Sequence, residues 1–293
     1  MNIASLKVFC DLVETESFTK SAHINGVTQS AVSQQITSLE RQFNSLLIER
    51  SKKLFRLTRE GRAVYDYSKQ ILQTYDLLQS KMHELKDIVS GNIQVATVYS
   101  IGLHDLPPYI TKFLQAFPTV NVHVEYERSN EVYEDVLGNV VDLGLVAFPQ
   151  KMNKLEIIPI HTYPMTLICH PQHPLANQKK IKLKDLAGQK FVGFEPDMPT
   201  RQAIDKVFWE RGVAVQYVME FDNIETVKRA VEIDAGVAIV AQSTVCQEVA
   251  KKTLVAVPLE AAGLDRPWAV LCKKGKVLSP AIKQFITILK GQP

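Results

Sequence analysis

Ser17-Phe18-Thr19-Lys20-Ser21-Ala22-His23, then Gly26-Val27-Thr28-Gln29-Ser30-Ala31-Val32-Ser33-Gln34-Gln35, then Leu57-Thr58-Arg59-Glu60-Gly61-Arg62 decide how this 293-residue chain begins to fold. Ser17 is a good N-cap for a helix over 18–25, with Phe18 and Ala22 on its inner side. Gly26 sits where a helix end takes a left-handed residue. Thr28 then caps a third helix over 29–43. Upstream, Leu6, Phe9, Cys10 and Val13 recur at helical steps and predict an amphipathic helix over 4–15. Two short helices joined by a tight turn, the second with a polar face, have the layout of a helix-turn-helix DNA reader.

The third helix has two faces. Val32, Ile36, Leu39 and Phe43 make a core stripe. Behind Thr28 and Gln29, the residues Ser30, Ser33, Gln34, Thr37 and Arg41 offer short or amide groups to base edges, and glutamine can pair bidentately with adenine. Alone, that face also fits a solvated helix. Its neighbours Arg50, Lys52, Lys53, Arg56, Arg59 and Arg62 are opposed only by Glu49 and Glu60, and a basic arm in this place suits phosphate. Gln29, Ser30, Ser33 and Gln34 are therefore candidates for reading bases, and Arg50, Lys52, Lys53 and Arg56 for holding phosphate. Net charge is only +3, so a nucleic-acid site must come from such local clustering.

Thr58 is placed to cap a long helix over 59–89. Val64, Ile71, Leu78 and Leu85 fall one heptad apart, as do Tyr75, Met82 and Val89, with Ser68 a polar gap. Some thirty residues at a rise of 1.5 Å give roughly 45 Å of helix, which needs a partner. A dimer seam that spaces two recognition helices is favoured over packing on the same chain. Ser90-Gly91-Asn92 ends it.

Beyond that point strands and helices alternate, which predicts parallel sheets with crossover helices. Strands are expected from Ile93 to Val98, Val120 to Tyr126, Val141 to Val146, Met165 to His170, Lys190 to Phe194, Val215 to Phe221, Gly236 to Val240 and Trp268 to Cys272. Helices are expected from Pro107 to Phe117, Ser129 to Leu137, and over 200–211, 223–233 and 279–290. In open α/β sheets, ligands sit at the carboxyl ends of strands near helix N-termini. Ser100, beside Ile101, and Thr200 are such positions. Arg201 would add charge, Val146, Ala147 and Phe148 a wall, and Phe221, Asp222 and Asn223 another loop at the cleft. Ser100 and Thr200 could equally serve only as helix caps.

The N-terminal motifs resemble the DNA-binding domain of LysR-type transcriptional regulators. The match runs through Ser17-Phe18, Ala22, Gln29 to Ile36, Leu39-Glu40, Arg50 and Leu57 to Gly61. Ser30 stands where the family often has Pro, Asn25 replaces a core Leu with Ile24 available to fill the gap, Asn44 replaces a helix-ending Gly, and Ile48 replaces Phe. The remainder is similar, more diffusely, to the family's two-lobed effector domain, through Ser100-Ile101-Gly102, Leu106-Pro107, Phe117-Pro118, Val141-Asp142-Leu143, His173-Pro174-Leu175 and Ala235 to Ile239.

The resemblance implies a multidomain chain. It would have a winged helix-turn-helix over 1–58, a dimerising linker helix over 59–90 and a two-lobed α/β effector domain over 91–293. Lobe I would take about 91–162 and 267–293, and lobe II about 163–266. It implies double-stranded operator DNA, a homodimer or dimer of dimers, RNA polymerase as a candidate partner, and a small anionic effector. Ser100 and Thr200 match positions where family hydroxyls contact that effector.

Cys10, Cys169, Cys246 and Cys272 lie far apart, with no Cys-x-x-Cys, so zinc-finger and thioredoxin-like readings lack support. A redox role for Cys169 and Cys246 is a minor alternative. His161, His170 and His173 lack partners at metal-ligand spacing, and His170-Pro-Gln-His173-Pro is turn chemistry. No Gly-x-Ser-x-Gly, P-loop or Gly-x-Gly-x-x-Gly occurs, so no enzyme, cofactor or metal is expected. No signal segment or membrane-spanning run is found, and a cytoplasmic location is expected. The alternatives are a small-molecule-binding α/β protein with a DNA-tethering head, and a constitutive regulator with no effector.

Overall fold

The computed structural model describes residues 2–51, 54–84, 89–260 and 263–291. The chain divides into two compact units, Met1–Ile88 and Val89–Pro293.

The first unit runs α1 (Ile3–Thr15), α2 (Phe18–Ile24), α3 (Gln29–Phe43), β1 (Ile48–Ser51), β2 (Leu54–Leu57) and α4 (Arg59–Glu84). Each of the first three helices opens on a side-chain cap. Asn2 accepts the Ser5 N–H at 2.7 Å, Ser17 that of Lys20 at 3.3 Å, and Thr28 that of Ala31 at 3.2 Å. Gly26 ends the α2 turn at φ +62°, and Asn44 takes φ +49° after α3, so Asn serves where a left-handed residue is required. Leu6, Phe9, Leu12, Val32, Ile36 and Leu39 pack with Leu47 and Ile48 into one core. β1 and β2 form an antiparallel wing, with Glu49 opposite Arg56 and Arg50 opposite Phe55.

Three expectations for this unit need correction. Phe43 does not complete the core stripe and is 41% exposed. The chain turns at Asn44, and Leu47 and Ile48 enter the core instead. Ile24 does not fill the gap beside Asn25, being 53% exposed. Asn25 replaces apolar packing with polar bonds, donating to Asp11 Oδ2 at 2.7 Å and to the Ser21 carbonyl at 2.9 Å. Val64 packs against the core rather than opening a seam. The seam residues farther along α4, namely Ile71, Tyr75, Leu78 and Met82, are all exposed. Leu85 lies outside the described residues. Val89 lies outside any helix and packs on the core of the second unit.

The second unit comprises β3 (Gly91–Thr97), α5 (Pro107–Ala116), β4 (Val120–Tyr126), α6 (Ser129–Gly138), β5 (Leu143–Ala147), β6 (Leu155–Cys169), β7 (Ile181–Lys182), β8 (Lys190–Phe194), α7 (Pro199–Glu210), β9 (Gln216–Phe221), α8 (Ile224–Glu232), β10 (Ala238–Ala241), α9 (Cys246–Lys251), β11 (Val255–Glu260), β12 (Asp265–Lys273) and α10 (Pro280–Lys290). One sheet follows the order β4-β3-β5-β12-β6-β11-β7, with β10 also on β6, and β8 pairs β9 separately. β3, β4 and β5 are parallel, as crossover helices require.

The long strand β6 belongs to both lobes. From Leu155 to Pro164 it pairs β12, and from Met165 to Cys169 it pairs β10 and β11. The first lobe closes over a core in which Ile93, Val95 and Phe113 meet Trp268, Val270 and Phe285. The second has cores on its two faces, one around Leu167, Phe191 and Phe208 and one around Val192, Val227 and Val240. Between β3 and α5 the chain makes a wide turn over Ile101–Asp105, in which the Leu106 N–H reaches the Ile101 carbonyl at 2.9 Å. Such five-residue hydrogen bonds are uncommon and cluster at functional sites.

Candidate functional site

The first site is the outer face of α3. Gln29, Ser30, Ser33, Gln34 and Thr37 border one shallow surface concavity with Ser38 and Arg41. The 3.6-residue period places them together, while Val32, Ile36 and Leu39 fix the opposite face in the core. Thr28 stands at the edge as the cap, its hydroxyl also 2.9 Å from that of Ser30. Arg56 is exposed on β2. The backbone of Arg50 pairs within the wing, and Lys52 and Lys53 lie outside the described residues.

The second site is a cavity of about 350 Å³ between the lobes of the second unit. It suits a small ligand. First-lobe segments 98–100, 127–130 and 147–150 face second-lobe segments 197–200 and 222–224, and Arg266 lies at the junction. The N-terminal residues of three helices border it: Ser129 and Asn130 of α6, Pro199 and Thr200 of α7, and Ile224 of α8 behind its cap Asn223. Helix starts present free N–H groups, which suits acceptor-rich ligands.

Of the residues expected here, Ser100, Ala147, Thr200 and Asn223 border the cavity, as does Asp222. Ser100 is no helix cap. Its Oγ accepts a hydrogen bond from Arg266 Nη2 at 2.7 Å. Thr200 follows Pro199 in the first turn of α7, whose cap residue is Met198, so its hydroxyl is spared that role.

The other expected residues turn away. Val146 alternates to the opposite face of β5 and is buried there. Ile101 and Phe148 pack in the first-lobe core and Phe221 in the second. Arg201 supplies no charge to the cavity. It is 7% exposed and donates to Asp205 at 2.7 Å, Glu220 at 2.5 Å and the Phe194 carbonyl at 2.7 Å. Its guanidinium lies 3.5 Å from the centre of the Tyr217 ring, so ring packing and ion pairing hold it within its own lobe.

Arg266 and Arg128 are the features that sequence reasoning missed. Arg266 is 1% exposed and donates to Asp105 Oδ2 at 2.8 Å. Arg128 reaches from the start of α6 to Glu195 and, at 3.2 Å, to Asp197 on the other lobe. A second link joins His104 to Glu225 at 2.8 Å, and Glu225 in turn pairs with the buried Lys228 at 2.8 Å. One signal was available for Arg266, a charge one position before Pro267 and the apolar run Trp268 to Cys272. Its partner Asp105 lies far upstream in the chain.

Burial, then the charges of Asp135, Glu125 and Glu131, push the Glu127 carboxyl up to about 7. Asp135 is raised by burial as well. Oxygens of Glu125, Glu127 and Asp135 all lie within 4.8 Å of one another, close enough to share a cation, although these groups are partly open to solvent. A carboxyl that binds its proton more tightly when folded favours the folded state at low pH, and that advantage disappears as pH rises through about 7. Between pH 5.5 and 8 the protein should lose roughly 1–2 kcal/mol from this pair after solvent screening. Urea titrations at both pH values should show Glu127→Gln losing markedly less than wild type; equal losses would contradict the assignment.

The thiols of Cys169 and Cys272 are buried and pushed up to about 11 by that burial, which makes them poor thiolates. His170 and His173 each accept a backbone N–H two residues on, at 3.2 Å.

A helix-turn-helix with a wing, in one chain with a two-lobed cavity domain, defines a transcriptional regulator of modular build. The chain belongs to the LysR family: residues 3–62 match the bacterial regulatory helix-turn-helix protein, lysR family, and residues 86–293 match the LysR substrate binding domain. It is 30% identical to the RuBisCO operon transcriptional regulator of Allochromatium vinosum, covering 97% of this chain and 94% of that one. Its fold is similar to full-length CbnR solved with its target DNA, with a TM-score of 0.71 at 20% identity, covering 99% of each chain. It is also similar to the Synechocystis CcmR regulatory domain in complex with 2-PG, with a TM-score of 0.63 at 24% identity, covering 69% of this chain and 96% of that one. No helix among the described residues is long and apolar enough to cross a membrane.

Proposed function

We propose that this protein is a ligand-responsive transcription factor rather than an enzyme. It reads double-stranded operator DNA in the cytoplasm as a homodimer or dimer of dimers. The observation that carries this reading is the single polar face of α3, held outward by its own core stripe and followed by a basic wing. The CbnR complex with target DNA supports the DNA partner, and the complex of the CcmR regulatory domain with 2-PG supports a small-molecule effector; the three helix starts around the cavity favour an anionic one. The exposed run Ile71, Tyr75, Leu78 and Met82 on α4 supports self-association, since four large apolar groups on one helix favour a second copy. A ligand bridging the lobes would shift their relative population and, through it, half-site use.

The test is a gel-shift titration on the DNA upstream of the protein's own gene. Gln29→Ala with Ser33→Ala should cost about 10- to 100-fold in affinity, because each good base contact contributes about 1–3 kcal/mol of discrimination. Arg56→Ala should weaken binding to all sequences alike and reduce the salt slope by about one. Unchanged operator binding by the double variant would remove α3 as the reader.

A further inference from the structure

The interlobe cavity, read as the effector site, carries a charge arrangement that selects among anions. Its cationic lining, among the described residues, is Arg128 and Arg266, with no lysine. Both arginines are already committed. Arg266 is held by Asp105, whose side chain is fully buried, and Arg128 is shared by Glu195 and Asp197. Glu127 and Asp222 also border the space and bring carboxyl groups with no further cation to offset them.

A phosphoryl group brings about −1.5 to −2 charges at neutral pH and is best held by a bidentate arginine. Arg128 bonds Glu195 and Asp197 through Nη2 alone and Arg266 meets Asp105 through Nη1, so a guanidinium with five N–H donors keeps others for a ligand. The charges of the two arginines are nevertheless outweighed by the carboxyl groups of Asp105, Glu195, Asp197 and Asp222, so a second negative charge on the ligand is repelled. A single carboxylate meets less of this repulsion. Ser100 Oγ accepts from Arg266, so its own O–H is turned away from the guanidinium, and no acceptor for it is found among the described residues. Thr200 and the open first turns of α6 and α7 add donors around the same space. The carboxylate of Asp222 is an acceptor at this space and calls for a hydroxyl group on the ligand. The Tyr133 oxygen accepts from the Gln150 N–H at 2.7 Å and keeps its proton to donate.

We infer that the cavity takes a polyhydroxylated acid with one negative charge and discriminates against phosphorylated polyanions. The inference rests on the cavity being the effector site. Burial keeps Glu127 partly protonated near pH 7, which reduces the negative charge of the lining and supplies no cation.

Gluconate, 6-phosphogluconate and sorbitol are matched probes that differ in charge. Isothermal titration of the full chain at about 0.15 M salt, where the Debye length is about 8 Å, should give gluconate at least tenfold tighter binding than either other compound. Ser100→Ala should weaken gluconate about tenfold, which ties the signal to this cavity. Glu195→Gln with Asp197→Asn releases Arg128. It should improve 6-phosphogluconate at least tenfold and change gluconate less than threefold. Phosphogluconate or sorbitol binding as tightly as gluconate overturns the charge inference and leaves the effector site standing. If neither acid binds wild type or the released variant while operator binding is intact, the reading of the cavity as a ligand site falls, and this inference with it.

Discussion

Gly61→Ala abolishes cooperative folding of the N-terminal unit and with it operator binding. Gly61 lies in the first turn of α4, against the segment that leads into the wing. A Cβ there would sit 2.0 Å from the Leu47 carbonyl oxygen, 2.9 Å from its carbon and 3.2 Å from its Cα. These are backbone atoms, so no side-chain rotation relieves the clash. The same carbonyl accepts the Thr58 N–H at 3.1 Å, while the Thr58 hydroxyl donates to the Leu46 carbonyl at 2.7 Å and caps the Gly61 N–H at 2.8 Å. Moving α4 outward far enough to admit a methyl group breaks this set of bonds and opens the core at Leu47. The cost should exceed about 4 kcal/mol, at the extreme of single substitutions and comparable with the whole stability of a small domain. Gly26→Ala is the control. It meets nothing within 4 Å and suffers only from its φ of +62°, so it should cost about 1–2 kcal/mol. Thermal melts of the full chain, with operator binding measured in parallel, separate the two; a Gly61→Ala melt within about 2 °C of wild type would refute the packing argument.

Arg266→Met is the second large effect. It leaves Asp105 buried with no cation, and breaking a buried pair from one side typically costs about 3–5 kcal/mol. For a unit of this size each kcal/mol moves the melting point by roughly 2–4 °C, so the regulatory unit should melt about 10 °C lower. The double variant Arg266→Met with Asp105→Leu removes both charges and should recover most of the loss. A single variant that loses less than about 1 kcal/mol, or a double variant worse than the sum of its parts, would show that the pair contributes little.

Local chemistry explains which parts were legible in the sequence. The span of α3 is Gln29–Phe43, as its cap and left-handed exit predict, because both ends are set by residues in direct contact with the helix. β4 and β8 are equally legible, β4 as an alternation of apolar and polar residues and β8 as a short apolar run. The first half of β6 was not. Pro159 and Pro164 argue against a strand there, yet both pair with β12, opposite Ala269 and Asp265. β11 hides Pro258 in the same way. In the cavity, hydroxyls at helix starts were legible because they are local. The direction of Val146 was not, because period two puts it and Ala147 on opposite faces and only the sheet decides which face is inner. Arg201 and Arg266 are both arginines within two residues of a proline, at the start of α7 and of β12. One is consumed by Asp205, Glu220 and Tyr217 and the other faces the cavity. Partners distant in sequence make that difference.

The core of the first lobe joins the two ends of Val89–Pro293, since β3 and α5 pack with β12 and α10. That closure sets an order of birth. On the ribosome, the residues of the DNA-reading unit have all emerged while the strands of the first lobe still lack their closing strand and helix. Nearly two hundred residues separate Ile93 from Leu289, and at about 5–20 residues per second the wait is on the order of 10–40 s. Until β12 and α10 are made, Ile93, Val95 and Leu143 have no Trp268 or Phe285 to cover them. A nascent chain of this protein therefore carries an emerged reader beside an open, apolar half-lobe, and β12 and α10 are the elements that seal it.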